Sequence, residues 1–265
     1  MKQFVHFGYE QAMSCLFPVM IFLTLAISKM IEVPIIKRYD FILIICLAVQ
    51  ILLVVFKIET MDEVKVIFVF HLIGLALELY KVHMGSWAYP EEAVTKVFGV
   101  PLYSGFMYAS VASYMCQAWR RLELRLVNWP STWLVLLLSA VIYFNFYTHH
   151  FIYDFRWILG GLVLVVFYKT FVYFTVNQKT HAMPLSLSFV LIGFFIWVAE
   201  NIATFFGAWQ YPNQQQQWEI VHVGKISSWL LLVMISFMIV ALLKHLKENR
   251  THENIKQETI EKSAK

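Results

Sequence analysis

The sequence predicts an all-α fold, a polytopic transmembrane bundle of about eight helices built as two tandem four-helix repeats in parallel orientation. Three observations carry this expectation. Hydrophobic residues make up 60% of the chain and charged residues only 14%, whereas soluble domains are about half apolar and about a quarter charged. Apolar runs of roughly 17 to 25 residues, enough to cross about 30 Å of hydrocarbon, recur along the whole length. A motif beginning in the third run is answered, 122 positions later, in the seventh.

The runs fall at about 12–30, 39–56, 64–84, 98–118, 129–148, 155–176, 184–206 and 225–243. The N-terminus carries one early lysine and no small-residue cleavage site after the first run, so the first span is expected to remain in the mature protein. A break at Thr148-His149-His150 separates the fifth and sixth runs. From about 244 to 265, lysine and arginine alternate with glutamate, which reads as a solvated cytoplasmic tail whose basic start meets anionic headgroups. The transmembrane domain is thus expected over 1–243, with repeat A at about 10–122 and repeat B at about 130–243.

Basic residues set the orientation. Lys57, Lys65, Arg120, Arg121, Arg125 and Lys179 lie with the N-terminus and the tail on one side of the alternating loops, which the positive-inside rule makes cytoplasmic. Both termini are then cytoplasmic, and the loops near residues 85–97, 149–154 and 207–224 face outward. Nothing in the charge pattern calls for a nucleic-acid partner; the bilayer is the expected one. Cys15, Cys46 and Cys116 all sit inside spans and read as small packing residues.

The repeated motif is Glu-x6-Gly-x-Trp-x-Tyr-Pro, from Glu78 to Pro90 and from Glu200 to Pro212, five residues at identical spacing. Shifted by the same offset, the first four runs fall close to the last four, and four crossings per unit give the two units one orientation. Glu78 and Glu200 then come to equivalent depth. A carboxyl group in hydrocarbon is costly and marks a candidate functional site. These two are the candidate catalytic acids.

Helical spacing places His71, Gly74, Glu78 and Lys81 on one stripe of the third span. Glycine ends a helix and proline prevents its resumption, so Trp87 with Tyr89, and Trp209 with Tyr211, are expected on turns that fold back toward the acids. Together with His222 and Lys225 before and at the start of the eighth span, His71, Lys81, Trp87, Tyr89, Trp209 and Tyr211 form the candidate substrate-binding set. The outer loop adds His149, His150 and Asp154, a candidate proton relay because imidazole titrates near neutral pH. The spacing of His150 and Asp154 also suits a metal, but the other histidines supply no further ligand cluster, and pairing of Asp154 with Arg156 or a histidine accounts for the loop as well. No metal and no particular cofactor is expected.

With Gly85-Ser86-Trp87-Ala88-Tyr89-Pro90-Glu91, Phe98-Gly99-Val100-Pro101-Leu102, Thr148-His149-His150 and Val221-His222-Val223-Gly224-Lys225, the chain resembles the uncharacterised YoaT-type family of bacterial multipass membrane proteins over nearly its whole length. That resemblance implies a bacterial plasma-membrane location and no particular activity. The order Glu78, Gly85, Tyr89, Gly99-Val100-Pro101-Leu102 is more distantly similar to carotenoid hydratases and tandem-repeat lycopene cyclases, which implies intramembrane acids that protonate a polyene. The chain departs from that pattern at Trp87 and at Val223-Gly224-Lys225.

Two functions use the same geometry. A membrane-embedded enzyme on a lipid or isoprenoid substrate would employ Glu78 and Glu200 in acid catalysis, in an outward-facing cavity open sideways to lipid. A transporter for a small solute or ion would employ them as a proton or cation site and needs a polar path onward to the cytoplasmic side.

Overall fold

The computed structural model describes residues 2–31 and 35–241; the charged tail expected over 244–265 lies outside the described residues. The chain is mostly helical, in the order α1 (Lys2–Ser14), α2 (Leu16–Met30), α3 (Arg38–Val55), α4 (Met61–His83), α5 (Ser104–Arg121), α6 (Thr132–Thr148), α7 (Arg156–Val166), α8 (Leu185–Phe205) and α9 (Lys225–Ala241). By length and composition α3, α4 and α8 are each apolar enough to cross a membrane, and a fourth span results if α1 and α2 are taken together. Within the described residues the apolar helices α6, α7 and α9 do not reach the length of that test. Three or four spans therefore meet the test where eight runs were expected.

The first expected span is bent. α1 and α2 meet at Cys15 at an angle of 65°. Pro18 lacks an N–H for Ser14, four residues earlier, and its ring clashes with that carbonyl, so the helix stops at Ser14 and restarts.

The sixth expected span also departs from a single helix. α7 covers 11 residues, and the chain then turns back as a hairpin of β4 (Phe171–Val176) and β5 (Lys179–Pro184), with β3 (Arg125–Val127) along the other edge of β4. The hairpin turns at Asn177 and Gln178, both at positive φ, as a two-residue turn between twisted strands requires. The aromatic and β-branched run Phe171-Val172-Tyr173-Phe174-Thr175-Val176 favours the pleated form. A second small hairpin, β1 (Lys96–Val97) with β2 (Val100–Pro101), turns at Phe98 and Gly99 before α5. These strands are additions to the expected all-α fold, and they make the two halves unlike. The motif recurs; the whole-domain repeat is not seen in the helix pattern.

Local rules account for the helix ends. A capping box opens α4, with Thr60 and Glu63 satisfying each other's backbone N–H groups. The most extensively packed helix pair, α4 and α5, meets through reciprocal small residues: a Cβ on Gly74 would lie 2.4 Å from the Tyr108 ring, and one on Gly105 would lie 2.7 Å from His71. At one end of the bundle, where α4 and α8 finish and α5 begins, lie both copies of the motif. At the other, β4 packs under α5, with Thr175 N–H donating to Leu122 O at 2.7 Å and Phe7 of α1 ringed against Phe174.

Candidate functional site

Each glutamate is held by the turn that follows it. Tyr89 Oη donates to Glu78 Oε2 at 2.7 Å, and Tyr211 Oη donates to Glu200 Oε1 at 2.5 Å. The glycines of the motif, Gly85 at φ +68° and Gly207 at φ +70°, provide the left-handed residue that ends the helix and sends the chain back. The two turns meet: Ala88 and Gln210 exchange both backbone hydrogen bonds, each at 2.9 Å. Tyr103 at the start of α5 adds a hydrogen bond to Ala208 O.

The two acids differ in their remaining partners. Glu78 also accepts from Trp87 Nε1 at 2.7 Å and from Tyr108 Oη at 2.8 Å, so three donors converge on it. Glu200 accepts instead from Trp229 Nε1 of α9 at 2.7 Å, one donor to each oxygen. Its motif tryptophan, Trp209, lines the cavity without reaching the acid.

Both carboxylates face one cavity of about 820 Å³, well within the range of small-molecule sites. Its polar end gathers Glu78, Lys81, Trp87, Tyr89, Glu200, Tyr211 and Lys225 from the candidate set. From there it follows one face of α5, past Tyr108, Val111, Met115 and Ala118 to Leu122, a run of roughly 21 Å at 1.5 Å per residue. The far end is walled by Phe7, Val172, Phe174 and Phe237. Phe4 and Val19 on one side and Leu191 and Phe195 on the other line the cavity while remaining exposed, so it opens outward between α1–α2 and α8 through an apolar mouth.

Lys81 forms no ion pair with Glu78. Only 2% exposed, it donates to Phe146 O at 2.7 Å and lies 3.4 Å from both His149 Nδ1 and His150 Nε2. Its stripe on α4 thus points two ways, to Glu78 and the α5 tyrosine on one side and to the loop after α6 on the other. Lys225 stands over the Tyr211 ring at 4.6 Å and the Trp87 ring at 5.5 Å. Among the described residues neither lysine has a carboxylate at ion-pair distance.

In the loop between α6 and α7, Asp154 pairs with Arg156 at 2.5 Å and accepts from Asn145 Nδ2. Burial pushes the Asp154 carboxyl up, but the hydrogen bonds and charge of Arg156 outweigh it and hold the pKa at about 2. Burial, and then the Lys81 charge, hold both imidazoles below their ordinary range. Among the described residues no group of three or more histidine, cysteine or acidic side chains is arranged to hold a metal ion.

Two of the candidate binding residues stand apart. His71 is packed against Phe106 and Gly105, its Nδ1 buried without a partner, away from the cavity wall. His222 accepts from the Gly224 N–H and is exposed. Conversely, Tyr108, Trp229, Asn145, Arg156 and Ser228 belong to the cavity wall and carry no motif signal. Gly74, whose missing side chain makes room for Tyr108, is the one trace of that tyrosine in the sequence pattern.

A family model described as "Protein of unknown function (DUF817)" matches residues 3–237. The chain belongs to this family. A relative from Bacillus subtilis (strain 168), described as "Uncharacterized protein YoaT", is 65% identical over 247 residues, covering 93% of this chain and 94% of its own length. The family match takes in both motif copies and every residue of the cavity wall named above. The more distant likeness to carotenoid hydratases and lycopene cyclases has no support among these relatives. Among solved structures, a cross-linked MvINS trimer matches 70% of this chain and 95% of its own, at 11% identity and a TM-score of 0.49, a likeness that carries no argument.

Proposed function

We propose that this membrane protein takes the chain of a lipid or isoprenoid into its cavity through the mouth between α1–α2 and α8, and acts on the polar end with Glu200 as the acid. The observation that carries this reading is the shape of the lining: charged groups crowd one end, and the remaining run along α5 is mainly apolar, its polar members Ser110, Tyr114 and Gln11 being hydrogen-bonded within the protein. One leaflet of a bilayer contributes about half of the roughly 30 Å hydrocarbon thickness, so a lipid tail fits within the cavity's length. Exposed apolar residues at the mouth suit entry from the membrane rather than from water.

Glu200 is the better acid of the pair. Glu78 already accepts from three donors, two of which tie it to its own turn, whereas Glu200 accepts from one donor on each oxygen and lies beside Lys225. Transport has less behind it, because a solute path to the far side would have to pass the Phe7, Leu122, Val172 and Phe174 wall.

The test is lipid analysis of a deletion strain complemented with the wild-type chain, Glu200→Gln or Glu78→Gln. The reading expects Glu200→Gln to match the deletion while the protein is present at wild-type level. Identical lipid profiles in all strains would end it.

A further inference from the structure

The polar end of the cavity holds more than the two acids. Lys81 from α4 and Lys225 from α9 reach the same space from different elements, and among the described residues neither has a carboxylate at ion-pair distance, although the Glu200 charge acts on Lys225. Arg156 lies on the same wall, donating to Ser228 Oγ at 3.2 Å, and its own charge is met by Asp154. Lys225 and Arg156 both add positive potential at Lys81, with Asp154 alone opposing them. His150 Nε2 stands 3.2 Å from Ser86 Oγ at the rim. Two lysines facing one sheltered cavity repel each other, and an isolated charge held away from water is costly unless it is paired. Glu200 offsets part of this at Lys225, and an anion placed between the two lysines would offset it at both.

We propose that the Lys81–Lys225 end of the cavity binds the phosphate-type headgroup of an anionic amphiphile whose hydrocarbon tail lies along α5. This rests on the chain-binding reading above and adds the charge of the headgroup. The aromatic faces of Tyr211, Trp87 and Phe146 under the two ammonium groups fix where the charges sit. The Glu200 carboxylate, held by Tyr211 and Trp229, is on the same wall and disfavours an anion placed against it.

The experiment uses the purified full chain in a neutral maltoside detergent and phosphate-free buffer. Binding of hexadecyl phosphate, hexadecanol and inorganic phosphate is measured by displacement of a fluorescent long-chain probe and by ligand-induced thermal shift. Hexadecyl phosphate is expected to bind about tenfold or more tighter than hexadecanol, the increment of one added hydrogen bond to a charged group. Lys225→Gln and Lys81→Gln each remove most of that preference, and a wild-type elution profile in detergent shows that the variants are folded. Equal binding of the phosphate and the alcohol, or a preference that survives both substitutions, overturns the anionic site while leaving chain binding in place. Inorganic phosphate competing as well as hexadecyl phosphate moves the site to a free anion and overturns the lipid headgroup. If neither amphiphile binds, the chain-binding reading itself fails and this inference falls with it.

Discussion

Ala88 and Gln210, in the two motif turns, hydrogen-bond each other through both backbone N–H and C=O groups at 2.9 Å, the pairing of one antiparallel bridge. The bridge places the two tyrosines that hold Glu78 and Glu200 one residue away on either strand, so both acids are positioned by a single joint. Gln210→Pro removes one donor and leaves Ala88 O without its partner. A loss of about 1 to 3 kcal/mol is expected, read as a lower midpoint of thermal unfolding in detergent. An unchanged midpoint would show that the joint is not needed.

Glutamine at the acids is expected to fold. Tryptophan Nε1 only donates, whereas a tyrosine hydroxyl donates or accepts. Glu78→Gln can keep its oxygen toward Trp87 and Tyr89 and donate to Tyr108, and Glu200→Gln can keep its oxygen toward Trp229 and donate to Tyr211. Both variants should stay within about 1 to 2 kcal/mol of wild type, while Glu78→Ala, orphaning three donors, loses several kcal/mol. Equal unfolding midpoints for Glu78→Gln and Glu78→Ala would contradict this.

Gly74 and Tyr108 are coupled. Because a Cβ at residue 74 falls 2.4 Å from the tyrosine ring, Gly74→Ala displaces the ring and costs about 1 to 3 kcal/mol. In Tyr108→Leu the same alanine is expected to cost clearly less. A double-mutant cycle measures the difference, and strict additivity of the two substitutions would remove the proposed clash.

Arg38 joins four pieces of chain. Its guanidinium donates to Ser28 Oγ and Leu25 O of α2 and to Phe206 O and Gly207 O at the end of α8, and pairs with Glu91 at 2.6 Å. A cation at helix C-termini satisfies carbonyls that have no partner within the helix. Arg38→Met should cost about 2 to 3 kcal/mol, and Arg38→Lys should recover only part of it, since one ammonium lacks the planar fork. Full recovery by lysine would mean that charge alone matters.

The loop between α6 and α7 gives stability a pH dependence of known sign. His149 and His150 have folded pKa values below the ordinary 6.5 and Asp154 has one of about 2, below 3.8. In each case the unfolded chain binds protons first, so the stabilisation is complete above the unfolded pKa and declines as pH falls. The histidine part fades below pH 6.5, and the Asp154 part between about pH 4 and 2. Asp154→Asn is expected to flatten the lower limb of the unfolding midpoint against pH, and an unaltered lower limb would refute the assignment.

The sequence by itself determined the mostly helical, apolar character, the family, and the paired motif that ends in the site. The family rested on the resemblance of whole segments; composition and five repeated residues suffice for the rest, because hydrophobic runs and Gly–Pro turns act locally. It also held signals for two departures, Pro18 at the α1–α2 bend and the aromatic, β-branched run before Asn177-Gln178, where an apolar stretch reads alike as helix or strand by hydropathy alone. Tertiary structure alone decided that Glu78 gains Tyr108 from 30 residues away and Glu200 gains Trp229 from 29. It alone separated His71 and His222 from the cavity and set Lys81 against His149 and His150 rather than against Glu78. Those outcomes depend on which helix faces pack and how closely, and no single-chain periodicity encodes a contact between faces.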